Sequence, residues 1–157
     1  MSMDSKEHRR IMGAFATGVT VVTTVVEGEM HGMTANAVAS LSLDPPLVMV
    51  SVHKDAHMHD HLTRGKCFAM NILSEDQEDL STLFATKGRK DFSKLRVKTG
   101  VTGAPIFEDA LGYVDCTIVN TLPAGDHDIF VGQIEAGDAG EGRPLLFYAG
   151  KYGSIAD

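Results

Sequence analysis

The chain is predicted to be mainly β, an antiparallel barrel with a few peripheral helices. Three observations lead there. Residues 19–26 (Val19-Thr20-Val21-Val22-Thr23-Thr24-Val25-Val26) are β-branched throughout, and such side chains suit a pleated strand better than a helix. Short apolar runs recur along the chain and are separated by Gly, Pro and Asp turns, as in neighbouring antiparallel strands. Helical periodicity is confined to three brief segments.

In chain order, residues 4–15 predict a short helix with Ile11, Met12 and Phe15 on one face and charges on the other. Gly18 ends that segment. Residues 19–26 form a strand, Glu27-Gly28-Glu29 a turn, and residues 30–38 return antiparallel beside it. A bend over residues 34–44 follows, rich in small hydroxyl and amide side chains. Asp44-Pro45-Pro46 closes the bend, since both prolines lock φ and neither donates a hydrogen bond. Residues 47–52 are a continuous apolar run, predicted as a buried strand. Residues 56–64 predict one or two helical turns, and 67–72 another strand. Ser74-Glu75-Asp76-Gln77 matches a capping box, with Ser74 as cap and Gln77 reaching back. That helix is expected to run to Ala85 with Leu80, Leu83 and Phe84 inward. Residues 86–109 are expected to be mostly irregular, interrupted by Gly100, Gly103 and Pro105. Strands are predicted again over 111–122, 127–135 and 145–148.

At 157 residues with no repeat or linker, residues 1–157 are read as a single domain able to bury a sizeable core. A net charge of −7 argues against a nucleic-acid partner, because phosphate contacts need clustered Lys and Arg. Lys87, Arg89 and Lys90 form a local basic patch. Cys67 and Cys116 each sit in an apolar run, which predicts buried free thiols rather than a disulfide or metal pair. The charged start, Met1 to Arg10, has no apolar core of a signal peptide, and no apolar run approaches the ~20 residues that span a bilayer. A cytoplasmic protein with no membrane partner is expected.

Neither common Gly-rich phosphate loop is present, nor a G-x-S-x-G elbow, nor H-E-x-x-H. His53, His57, His59 and His61 are the most conspicuous cluster, and His57 and His61 have the i, i+4 spacing of one helical face. One such pair with no nearby cysteine favours an exposed polar turn over a metal site, and no metal is expected. Gly125-Asp126-His127-Asp128 precedes an apolar strand, so His127 either opens a plain hairpin or faces a ligand. Lys87-Gly88-Arg89-Lys90 suits either an anion or solvent. Thr34, Asn36, Ser40 and Ser42 are donors and acceptors fit for a polar ligand, and an ordinary loop would carry the same residues.

Taken together and in order, several motifs resemble the short-chain flavin reductase family. They are Met12-Gly13-Ala14-Phe15-Ala16-Thr17-Gly18-Val19-Thr20-Val21-Val22-Thr23-Thr24, Gly32-Met33-Thr34-Ala35-Asn36-Ala37 through Leu43-Asp44-Pro45-Pro46-Leu47-Val48, and Phe68-Ala69-Met70-Asn71-Ile72-Leu73. Gly103-Ala104-Pro105 before Ala110-Leu111, Gly125-Asp126-His127, and Pro144-Leu145-Leu146-Phe147-Tyr148 with Gly150-Lys151-Tyr152 complete the set. This family is the reductase component of two-component flavin-dependent monooxygenases, built on the FMN-binding split β-barrel of Greek-key type. The resemblance implies a homodimer that binds FMN or FAD and passes hydride from NADH or NADPH to the flavin, for use by a separate flavin-dependent monooxygenase. It implies that Thr34, Ala35 and Asn36 face the flavin ring or ribityl chain, with Ala37, Ser40, Ser42 and Leu43 completing the loop. Ser51 and His53 would lie at the far end of the pocket, and Lys90 and Phe92 near the phosphate or adenosine side. His127 would be the catalytic-site histidine at the nicotinamide, with Tyr152 closing that site.

The chain departs from the family at Asn36 and Ala37, where serine is commoner, and in the histidine-rich run His57-Met58-His59-Asp60-His61. The acidic composition offers no evident 2′-phosphate site, which favours NADH. Alternatives left open are a non-catalytic flavin- or haem-binding split barrel, and a split-barrel oxidase with another small substrate.

Overall fold

The protein was analysed as a computed structural model describing residues 2–156. A first helix, α1 (Ser5–Met12), is followed by β1 (Thr17–Gly18), β2 (Thr20–Val26), β3 (Glu29–Ala35), β4 (Val38–Leu43) and β5 (Pro46–His53). Then come α2 (His57–Gly65), β6 (Cys67–Ile72), α3 (Glu78–Ala85), a 3-10 turn (Phe92–Lys94), β7 (Val97–Thr99) and β8 (Pro105–Phe107). Two long strands, β9 (Gly112–Ala124) and β10 (His127–Ala139), precede β11 (Leu145–Tyr148) and β12 (Lys151–Ser154).

Seven strands form one antiparallel sheet in the order β3-β2-β6-β9-β10-β5-β4. Its two edge strands, β3 and β4, are separated in sequence by Asn36 and Ala37 alone. Three peptide units reach at most about 11 Å, so the sheet must curl until its edges meet at this corner. Chain rather than a hydrogen-bond ladder joins the edges there, which makes the barrel a split one. The corner is pinned on both sides. Thr20 Oγ1 donates to the Ala35 carbonyl at 2.6 Å, and Ser51 N donates to the Ala37 carbonyl at 2.9 Å.

The barrel interior is filled by Val22, Val50, Val52, Phe68, Met70, Cys116 and Phe130, with Met58 and Leu62 of α2 packed against them. On the other face of β2, Val21 packs with Leu73, Phe84, Phe92, Phe107 and Leu145 under α3. Both faces of β2 are thus covered, as its unbroken apolar and threonine run anticipates. Asn71, fully buried, joins the layers. Its amide donates to the Val21 carbonyl at 3.0 Å, and its carbonyl oxygen accepts from Phe107 N at 3.0 Å. Among the described residues no helix is long and apolar enough to cross a membrane. Cys67 and Cys116 are buried free thiols, as expected.

Several local expectations are corrected. The polar bend is in part a strand: β4 pairs with β5, with a register shift between Ser40 and Ser42 that absorbs the extra residue. The Leu47–Val52 run is not buried on both faces, because burial alternates along β5. Residues 86–109 contain the 3-10 turn and the β7–β8 hairpin. The apolar face of α1 exists, but none of its residues is buried, and Ile11, Met12 and Phe15 are exposed. Leu83 is also exposed, whereas Phe84 is buried as expected. Gln77 does reach back to Ser74 N at 2.9 Å, yet the two residues form a turn and α3 begins at Glu78.

Candidate functional site

A cleft of about 760 Å³ opens between β3, the start of α2, the end of α3 and the β11–β12 hairpin. One wall is the stretch from His31 to Thr34 with Asn36, and Asp55, Ala56, His57 and His61 form a second. Ser81, Thr86 and the loop 87–90 close the far side, and Phe147 and Tyr152 complete it.

Local sequence explains this shape. Gly32 lets β3 lie directly against α3, since a Cβ there would sit 2.8 Å from Phe84 Cε1. A chain of short polar contacts ties three elements around the cleft. Thr34 Oγ1 donates to the Ser81 carbonyl at 2.5 Å, and the Ser81 and Tyr152 hydroxyls meet at 2.7 Å. The 86–90 loop turns at Gly88, whose φ of +100° suits glycine. Lys90 Nζ then donates to the carbonyls of Thr86 and Gly88, each at 2.8 Å, and to that of Lys87 at 3.3 Å. The Arg89 guanidinium is paired with Glu29.

Of the residues the family resemblance assigned to the cofactor site, Thr34, Asn36, Lys90 and Tyr152 line the cleft, and of the others singled out from sequence His57, His61, Lys87 and Arg89 do too. Lys90 does so with its ammonium spent on the loop's own carbonyls. Ala35 is turned into the barrel interior, and Ala37 is exposed at the corner. Ser40, Ser42 and Leu43 lie along β4 and do not line the cleft; Leu43 is 93 % exposed. Strand pairing dictates this, because residues 38–43 are held to β5 rather than folded back over β3. Ser51 sits in β5 opposite Ile129, also off the cleft. Phe92 is buried with Phe84 and Phe107.

His53 and His127 are directly opposed across β5 and β10, with ring centroids 5.1 Å apart. His127 Nδ1 meets Asp126 Oδ1 at 2.7 Å, and this contact holds the Asp126 carboxyl below its ordinary value. His53 Nδ1 accepts from Asp55 N at 3.0 Å, and Asp55 lines the cleft, but neither His53 nor His127 is among the residues that line it. Beneath them His59 Nε2 contacts Asp128 Oδ2 at 2.6 Å and fastens α2 to β10.

Sequence reasoning missed His31 and Ser81 as cleft residues. His31 stacks on His61 with centroids 3.6 Å apart and planes 9° from parallel. Burial depresses both imidazoles below the ordinary histidine value. The i, i+4 spacing of His57 and His61 did carry a usable signal, since both side chains reach the cleft. Ser81 carried none, being one polar residue on an amphipathic helix.

The flavin reductase like domain family matches residues 12–156. The chain is 38 % identical over 151 residues to the reductase component of a 4-nitrophenol 4-monooxygenase/4-nitrocatechol 2-monooxygenase from Rhodococcus opacus, covering 96 % of this chain and 81 % of that one. It superposes on the flavin reductase PheA2 in its native state with a TM-score of 0.92 at 43 % identity, covering 99 % and 100 % of the two chains. The NADH:FAD oxidoreductase SgcE6 of Streptomyces globisporus C-1027, solved with NAD and FAD fragments, matches with a TM-score of 0.91 at 37 % identity, covering 99 % and 97 %. These neighbours share the split barrel that the motifs implied. On the family match, the sequence identity and the superposition together, the chain belongs to the flavin reductase like domain family.

Proposed function

We propose that this chain is a nicotinamide-dependent flavin reductase that reduces FMN or FAD and supplies it to a separate flavin-dependent monooxygenase. The observation that carries this reading is the cleft itself. It is large, walled by rings and short polar side chains, and ends at a glycine-turned loop bearing Lys87. That donor set fits a long planar ligand with an anionic end. The relatives named above, a monooxygenase reductase component and an NADH:FAD oxidoreductase, agree with it.

On this reading Thr34, Asn36 and Tyr152, which line the cleft, hold the flavin ring and ribityl chain, and the amides of loop 87–90 hold its phosphate. When bound, the flavin supplies a two-electron acceptor for hydride, and that chemistry is the cofactor's own. The chain contributes position, because holding two rings at reacting distance is most of what such a step needs. Asp126 fixes the His127 ring through Nδ1 and leaves Nε2 without a partner among the described residues, so that atom remains available to a nicotinamide bound beside the cleft. NADH is the favoured reductant, and the two buried thiols suit the reducing cytoplasm.

The exposed apolar side chains Ile11, Met12, Phe15, Leu41 and Leu43 support a homodimer. Light scattering on the purified protein tests that directly. The function is tested by following NADH oxidation with and without added FMN or FAD. Flavin should stimulate it strongly, and His127→Ala should impair reduction while flavin still binds. No stimulation by either flavin would end the reductase reading.

A further inference from the structure

We propose that the stacked His31–His61 pair is a proton-sensitive joint in the cleft wall, setting α2 against β3 so that the cleft takes a flavin ring best while both imidazoles are neutral. This rests on the flavin-binding reading of the cleft. His31 belongs to β3 and His61 to α2, so the stack spans the two elements that form adjacent walls.

Two observations indicate that the imidazoles are present for their protons as well as their shape. The rings are nearly parallel at 3.6 Å, a geometry that two neutral rings tolerate and two cations do not. His61 Nδ1 is buried and has no hydrogen-bond partner among the described residues. A phenyl ring would stack equally well there without burying an unsatisfied nitrogen. The imidazole is therefore not retained for a bond within the fold.

The surrounding charges do not neutralise a doubly protonated stack. Glu29 faces both rings but is paired with Arg89, and Arg64 lies near both. Asp60 and His57 also face His61, with opposite effects. Burial lowers both imidazoles, and for His31 the neighbouring His61 adds to it. The stack is neutral near pH 7 and gains charge as pH falls below the ordinary histidine value. Protons favour separated rings, and on this proposal the flavin binds the stacked arrangement. By linkage, flavin affinity then falls as the pH falls.

Riboflavin is the probe, because it carries no phosphate that titrates in the same range. Its affinity, read by fluorescence quenching, should drop roughly tenfold or more between about pH 8 and about pH 5 in the unmodified protein. In His61→Phe the ratio of the two affinities should approach one, whatever its absolute affinity. An unchanged ratio in that variant, or tighter binding in acid before substitution, would overturn the proposal. A ligand-free readout separates this from the function itself. Imidazole resonances of His31 and His61 should each report coupled titration steps displaced below the ordinary value, and His31 should return towards it in His61→Ala. Independent titrations at the ordinary value would overturn the joint even in a fully active reductase, whereas coupled titrations in a protein that oxidises no NADH would refute only the reductase reading.

Discussion

Substituting Gly32 by alanine adds one methyl group at the place where β3 touches α3. The new Cβ would lie 2.8 and 2.9 Å from Phe84 Cε1 and Cδ1, and 3.3 Å from Thr23 Cγ2. Ordinary carbon–carbon contact begins near 3.5 Å, so the ring must retreat about 0.7 Å. It has little room. Phe84 is buried, with the rings of Phe92 and Phe107 behind it at centroid distances of 5.4 and 5.5 Å. Overpacking of this kind costs about 1–3 kcal/mol. In a chain of this size that lowers Tm by roughly 2–12 °C. Movement of α3 would also strain the Thr34 Oγ1 to Ser81 carbonyl contact, so flavin affinity should fall as well. Thermal and urea denaturation measure the stability change, and an unaltered urea slope would show that the unfolded reference is the same. The decisive comparison adds Phe84→Leu. That change alone should destabilise, but in the Gly32→Ala background it should cost about 0.5–3 kcal/mol less, because the smaller side chain relieves the clash. Equal cost in both backgrounds, or a Gly32→Ala protein with unchanged Tm, would refute the packing account.

Three further outcomes follow from the same geometry. Tyr152→Phe leaves the buried Ser81 hydroxyl without its partner and should cost about 1–3 kcal/mol in urea denaturation, most of which Ser81→Ala should restore. Native values for His31 and His61 lie below the unfolded one, so the unfolded chain takes up protons first. Their contribution to stability is complete above the ordinary value of 6.5 and is lost as pH falls below it, and His61→Phe should lessen this part of the acid loss in urea midpoints. Burial pushes the Cys116 thiol up to about 12, so at about pH 8 it should resist thiol reagents until denaturant is added; rapid labelling of the native protein would contradict its placement.

Strand propensity, turn chemistry and periodicity are local properties, and they made much of the fold legible. The β-branched run of β2 had no competing reading, and Leu145–Tyr148 is bounded as its apolar run indicates. β4 escaped because its residues are small, polar and half-exposed. Such a segment becomes a strand only when an edge is offered to it, and β5 offers one. The β7–β8 hairpin was hidden in the same way by Gly100, Gly103 and Pro105. Amphipathicity specified α1 as a helix but left its covering partner unspecified. The candidate site divides similarly. Thr34, Asn36, Lys90 and Tyr152 carried family motifs and do reach the cleft. His31 carried no signal, because its role depends on a ring thirty residues away in another element.

The sequence by itself determined the β-rich class, the strands with strong propensity, the free buried thiols and the family motifs, since each depends on neighbours in the chain or on residue type. Tertiary structure alone decided that the corner at Asn36 and Ala37 closes the barrel. It also decided that Lys90 braces its own loop rather than offering a free ammonium, and that His31 and His61 meet face to face. Those contacts join segments distant in sequence, and the curl of one seven-stranded sheet brings them together.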